Sequence, residues 1–181
     1  LFKADRIFIN TGATPFVPPV EGLTIGGAIH TSETIMNLEE YPESLVIIGS
    51  GFIGLEFAAT YAQFGTKVTV IDVTEAFLPR EDEDVAQAVK EQLEALGVTF
   101  NLGVQLKAVH QEGGKAVVEA TTGEGAPVAF TADAVLVATG RRANVQGLDL
   151  DKAGVELTER GAIKVNEFLQ TNVPHIFAMG D

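Results

Sequence analysis

Gly49-Ser50-Gly51-Phe52-Ile53-Gly54 is the stretch of this 181-residue chain whose residue types and spacing point most directly to chemistry. It has the form G-x-G-x-x-G, and each glycine would serve a bound diphosphate differently. Gly49 allows a tight turn, Gly51 lets phosphates reach the backbone, and Gly54 lets a following helix pack close to the preceding strand. Free N–H groups at the helix N-terminus would then face the anion. Asp72 follows Gly51 by 21 residues, close to the spacing of roughly 20 at which an acid meets the adenosine ribose of a dinucleotide. A carboxylate there accepts hydrogen bonds from both ribose hydroxyls and repels a 2′-phosphate. Val73 and Thr74 come next, with no arginine to receive that phosphate, so the pattern predicts NADH over NADPH. The alternative is a glycine turn between packed elements with no ligand.

Other candidates are less specific. Glu56 sits two positions after Gly54, read as the first turn of an otherwise apolar helix. It either complements the helix dipole or lies near a reacting ring, where it would fix a partner lysine or the nicotinamide amide. Arg141 and Arg142 follow a strand ending at Gly140 and are either ligand contacts or plain surface charge. Glu81 to Asp84 read as solvated acids at a helix N-terminus. His30, His110 and His175 have no ligand spacing, so no metal site is expected.

These residues need strands and helices to hold them. Leu45 to Ile48 form a continuous apolar run, as in a strand buried on both faces. Ile53, Phe57 and Tyr61 recur at helical spacing before Gly65, and Val68 to Ile71 form a second buried strand. A helix through Val85, Val89, Leu93 and Leu96, closed by Gly97, precedes a third strand at 98–100. Such alternation predicts a parallel sheet with right-handed crossovers. Segments 103–110, 115–121 and 127–132, parted by glycines, read as a β-meander, and 134–138 as another buried strand. The fold class is therefore α/β: a Rossmann-like parallel sheet with helices on both faces plus a three-stranded β-meander. Before the sheet, 5–9 read as a strand, 14–27 as loop, and Thr31-Ser32 as the cap of a short helix to Leu38. After it, 141–181 read as polar loop with a short strand near 162–165 and a last strand at 176–178.

Composition excludes several classes. Twelve basic against 25 acidic residues, a net charge of −13, argue against nucleic acid or an anionic membrane as partner. No apolar run reaches the ~18 residues of a membrane span. The absence of cysteine excludes a disulfide framework, zinc-thiolate site or cysteine nucleophile within these residues. The chain starts at Leu1 and stops at Asp181 as an excised piece of a larger protein would.

The run from Val46 to Glu56 resembles the NAD-binding domain of flavoproteins with two dinucleotide-binding domains, as do Val68 to Asp72, Ala138 to Arg142 and Thr171 to Asp181. The nearest group is the pyridine nucleotide-disulfide oxidoreductases, including lipoamide dehydrogenase, glutathione reductase and mercuric reductase. The resemblance implies an FAD domain interrupted by an NAD domain. Residues 1–19 would be the FAD-domain edge and linker, 20–142 the NAD(H)-binding domain, and 143–181 the return to the FAD domain. Gly49, Gly51, Phe52, Ile53, Gly54 and Asp72 would bind NAD, with Gly140 beside the nicotinamide ribose. Phe52 replaces a tyrosine lid common in the family. Glu56 matches a family glutamate near the flavin and nicotinamide and would be the catalytic residue. Thr11 and Gly12, preceded by Asn10 where alanine is usual, and Asp181 would contact FAD. The implied activity is hydride transfer from NADH to FAD and on to a redox disulfide outside this chain, which alone would not be competent. An NADH oxidase, peroxidase or ferredoxin-reductase type and a non-catalytic NAD(H)-sensing module are the alternatives. The resemblance further implies a cytoplasmic protein, homodimeric at full length, with this piece a monomer or weak dimer. Residues 1–15 and 141–181 are expected to fray.

Overall fold

Leu45, Val46, Ile47 and Ile48 carry no polar side chain because both faces of their strand are covered. In the computed structural model, which describes residues 3–181, they belong to strand β4 (Ser44–Ile48) of a five-stranded parallel sheet. Its other members are β3 (Ile29–Thr31), β5 (Lys67–Asp72), β6 (Thr99–Leu102) and β10 (Ala134–Val137), in the order β3-β10-β4-β5-β6. Helix α1 (Phe52–Gln63) joins β4 to β5, and α2 (Glu83–Ala95) joins β5 to β6. A separate antiparallel sheet holds β7 (Gln105–Glu112), β8 (Lys115–Thr121) and β9 (Pro127–Ala132), the expected meander. The chain divides into two units. One is Pro15–Gly140, which contains these elements, and the other joins the stretch up to Thr14 with Arg141–Asp181.

The α/β class and the parallel sheet are as expected, but the helices do not cover both faces. Leu45, Ile47, Val68 and Val70 share one core with Leu55, Ala58 and Tyr61 of α1 and with Ala86 and Leu93 of α2. Val46, Ile48, Val135 and Val137 share the other with Val109 and Val118 of the meander. Chain direction explains this. From β4 through β5 to β6 the strands step one way, and right-handed crossovers in one direction land on one face. Return from β6 to β10 runs back past β5 and β4. Its crossover falls on the opposite face, and the meander is that crossover.

Three local expectations are corrected. Thr31 does not cap a helix; it ends β3, its N–H donating to Thr34 Oγ1 at 2.9 Å, and only a single 3₁₀ turn, Ile35–Asn37, follows. Pairing with β10 satisfies this backbone and buries Ile29, which outweighs the local capping signal. Strand β2 (Ala13–Pro15) lies where loop was expected, and so does β11 (Arg141–Ala143), with which it pairs. No strand forms near 162–165, where Ile163 makes one isolated bridge to Leu157.

In the smaller unit β1 (Ile7–Ile9) and β12 (Ile176–Ala178) pair in parallel, and Phe8 stacks on Phe177 with ring centroids 5.2 Å apart. Leu150, Val155 and Ile176 form its small core. No helix among the described residues is long and apolar enough to cross a membrane.

Candidate functional site

Crossovers leave β4 and arrive at β10 in opposite directions, and the two strands are neighbours. Such a switch point opens a crevice at the carboxyl ends of the strands. A cleft of about 890 Å³ lies there, lined by Gly49, Gly51, Phe52, Asp72 and Gly140 among others. Ile48, Ile71, Leu78, Val104 and Leu106 give it apolar walls. Most of the residues that the glycine pattern and its acid single out therefore meet in one place.

The fold makes different demands at the three glycines of the loop. Gly49 has φ +111°, and a Cβ there would stand 2.5 Å from the Ala138 carbonyl oxygen. Gly54 is fully inside, and its Cβ would strike the Gly49 carbonyl and come 3.3 Å from Ile47 Cγ2. That is the close helix–strand approach expected of the third glycine. Gly51 differs from both. Its φ of −74° suits any residue, and a Cβ would meet nothing within 4 Å. Neither conformation nor packing calls for glycine at 51; what it supplies is bare backbone on the cleft.

Gly51 is also the N-cap of α1, with no side-chain cap and no acid in the first turn. The first N–H groups of an α-helix have no partner within it, so these are left for a ligand or water. Helix α2 is built otherwise: Glu83 and Asp84 occupy its first turn, and Asp84 Oδ1 accepts from the Val85 N–H at 2.9 Å. The Asp82 side chain makes no cap bond, so the acids act mainly on the helix dipole.

Asp72 is half-buried at the end of β5. Its Oδ2 accepts from the Ser50 N–H at 2.6 Å and the Ser50 hydroxyl at 2.8 Å, and Oδ1 from the Thr74 N–H at 2.8 Å. Burial by itself pushes the carboxyl up, but the hydrogen bonds from Ser50 and Thr74 together outweigh it and hold the group below its ordinary value. Asp72 thus faces the cleft ionised.

Other candidates fall elsewhere. Glu56 is the fifth residue of α1 and exposed, beyond the first turn, so the dipole account of it fails. Neither Glu56 nor Ile53 nor Gly54 is among the cleft-lining residues. Phe52 is 62% exposed and is one of the cleft-lining residues. Gly140 has φ +124°. Arg80, which the sequence pattern did not single out, lines the cleft wall beside Glu81. Its only signal was position in the loop between β5 and α2. In the smaller unit, the Thr11 hydroxyl donates to the Asn144 carbonyl at 2.7 Å, and the Gly12 carbonyl accepts from the Asn144 N–H at 2.9 Å. Asn10 Oδ1 occupies the place a Cβ on Gly180 would take, next to the exposed Asp181. The Arg141 guanidinium donates to the Ala13 carbonyl. Among the described residues no group of three or more His, Cys, Asp or Glu could hold a metal.

These features define an α/β chain with a cleft at a switch point beside a glycine loop. All of residues 1–181 match the family described as pyridine nucleotide-disulphide oxidoreductase. The chain is 40% identical over 177 residues to the probable pyridine nucleotide-disulfide oxidoreductase RclA of Escherichia coli K12, covering 98% of this chain and 39% of that protein. It is also 40% identical over 179 residues to a dihydrolipoyl dehydrogenase of Bacillus subtilis, covering 99% of this chain and 38% of that one. Among solved structures, the HOCl-induced flavoprotein disulfide reductase RclA from Escherichia coli superposes with a TM-score of 0.89 at 38% identity, covering 97% of this chain and 39% of that one. The chain belongs to the pyridine nucleotide-disulfide oxidoreductase family. It spans under two-fifths of the length of these relatives.

Proposed function

We propose that Pro15–Gly140 is the NAD(H)-binding unit of an FAD-dependent disulfide oxidoreductase. The observation that carries this is Gly51: a glycine that the fold does not need, at an uncapped helix N-terminus, beside an ionised acid. Gly49 shapes the turn, Gly51 and the first turn of α1 receive the diphosphate, and Asp72 receives the adenosine ribose. Gly140 and Phe52 border the nicotinamide end, and Glu56 acts near it. The ionised Asp72 favours NADH over the phosphorylated NADPH. When bound, NADH supplies a hydride to the FAD of the parent protein, and from there electrons reach a redox disulfide outside this chain. Thr11, Gly12 and Asp181 of the smaller unit contact that FAD.

The names of the relatives, a dihydrolipoyl dehydrogenase and a flavoprotein disulfide reductase, favour this reading over an oxidase, a peroxidase or a nucleotide sensor. Calorimetric titration of the 181-residue chain tests its first step. Saturable NADH binding, tighter than NADPH, is expected, and no binding of either would overturn the proposal. The chain is expected to be monomeric or weakly dimeric and the parent a homodimer, which light scattering checks.

A further inference from the structure

Ser50 is buried, lines the cleft, and spends both of its donors on one atom. Its N–H and its hydroxyl both reach Asp72 Oδ2, at 2.6 and 2.8 Å. A carboxylate oxygen has about two lone-pair sites, so Oδ2 is full. Oδ1 already takes the Thr74 N–H at 2.8 Å, and the Thr74 side chain also bonds the carboxyl; Thr74 is exposed, so its hydroxyl can turn to solvent and leave Oδ1 one site for a ligand. An adenosine ribose offers two hydroxyl donors, and Asp72 by itself has room for only one of them. The Ser50 hydroxyl oxygen, by contrast, donates its single proton to an ionised carboxylate and so has only acceptor capacity left. No donor among the described residues fills it.

The amino ends of the strands supply the control. Ser44 makes the same pair of bonds to Asp133 Oδ2, at 2.9 and 2.5 Å, but its hydroxyl oxygen also accepts from the Asp133 N–H at 3.0 Å. At the amino ends the serine–aspartate clamp therefore closes on itself. At Ser50 it is left open toward the cleft.

Resting on the reading of the cleft as a dinucleotide site, we propose that Ser50 is a second ribose-binding residue: its hydroxyl oxygen accepts from one ribose hydroxyl while Asp72 Oδ1 accepts from the other. Specificity for an intact ribose is then shared between the glycine loop and the end of β5. The acid would not hold the diol alone.

Fluorescence titration of the chain, as wild type and as Ser50→Ala, tests this with NADH and with its 2′-deoxy and 3′-deoxy adenosine-ribose analogues. Ser50→Ala should weaken NADH about tenfold, the size of one hydrogen bond. One deoxy analogue should bind both proteins equally, because the hydroxyl that Ser50 receives is gone, while the other keeps the tenfold difference. An equal loss for NADH and both analogues would mean that Ser50 only positions Asp72, and no loss would mean that it does neither. Either result overturns the proposal. Ser50→Gly keeps the N–H bond to Asp72 and gives the same comparison if the alanine variant does not fold. Wild type that binds neither NADH nor the analogues would instead sink the dinucleotide reading itself.

Discussion

The two ends of the parallel sheet carry the same small device in opposite surroundings. At the amino ends Asp133 holds the Ser44 N–H and hydroxyl, and Lys115 closes on its Oδ1 at 2.8 Å. At the carboxyl ends Asp72 holds the Ser50 N–H and hydroxyl, but no cation pairs with it among the described residues. Lys115 first, then Ser44, hold the Asp133 carboxyl down at about 2. Asp72 stays ionised against its own burial through hydrogen bonds alone. A neutralised clamp ties β4, β8 and β10 together. An unneutralised one leaves a directed negative charge and free acceptors on a cleft, the condition for recognising a hydroxylated ligand.

The largest break in this comparison is expected at Gly49. Alanine there combines a left-handed backbone, worth ~1–3 kcal/mol, with a clash on the Ala138 carbonyl, worth ~1–3 kcal/mol of overpacking. Thermal unfolding should show a loss of several degrees together with lost NADH binding. Gly51→Ala should separate the two effects: a melting temperature lowered only slightly, because a Cβ there meets nothing within 4 Å and only the N-cap preference for glycine is lost, with NADH affinity down at least ~10-fold as the methyl group crowds the diphosphate. A matching fall in melting temperature would show that Gly51 serves the fold after all.

Asp72→Asn and Asp133→Asn sharpen the contrast at intermediate size. The first should weaken NADH about tenfold or more, on the scale of a charge-assisted hydrogen bond. The second should leave affinity unchanged and lower the melting temperature. The sign of the pH dependence follows from the lowered carboxyls. Asp133 contributes stability above its ordinary value of 3.8 and loses it as pH falls through about 2. The melting difference between wild type and Asp133→Asn should therefore be full at pH 6 and shrink toward pH 2. A difference that grows on acidification would contradict the clamp.

How much of this was legible beforehand depended on whether the determinant was local. The glycine loop, β4, β5 and the Asp72 spacing were readable, because strand burial, the turn and the helix start all leave marks within a few residues. The face covered by the meander was not, since it is decided by the direction of the return from β6 to β10. Strand β3 was missed because three residues containing His30 and Thr31 carry no periodicity, and its pairing partner lies over a hundred residues away. Glu56 falls in the first turn when it is counted from Gly54, whereas the helix already begins after the N-cap at Gly51, which makes Glu56 its fifth residue. Ser50 was passed over as a filler position of the motif, and only the distances to Asp72 reveal it.

Arg80 carries the finest test. Expecting NADH over NADPH rested on finding no arginine directly after Asp72, yet the loop brings one back to the cleft wall eight residues later. Two charges then compete for a 2′-phosphate. Asp72 is half-buried and fixed by three hydrogen bonds, so its repulsion acts at a set position. Arg80 is exposed and lies beside Glu81, where solvent and a like-placed acid weaken its attraction. The fixed, less solvated charge should prevail, leaving NADH preferred and Arg80 a small correction. Arg80→Gln should weaken NADPH only about two- to threefold, within the range of an exposed charge contact, and leave NADH unchanged. The effect should fade at high salt. A tenfold or greater loss confined to NADPH would reverse the ranking of the two charges and make Arg80, not Asp72, the residue that decides between the dinucleotides.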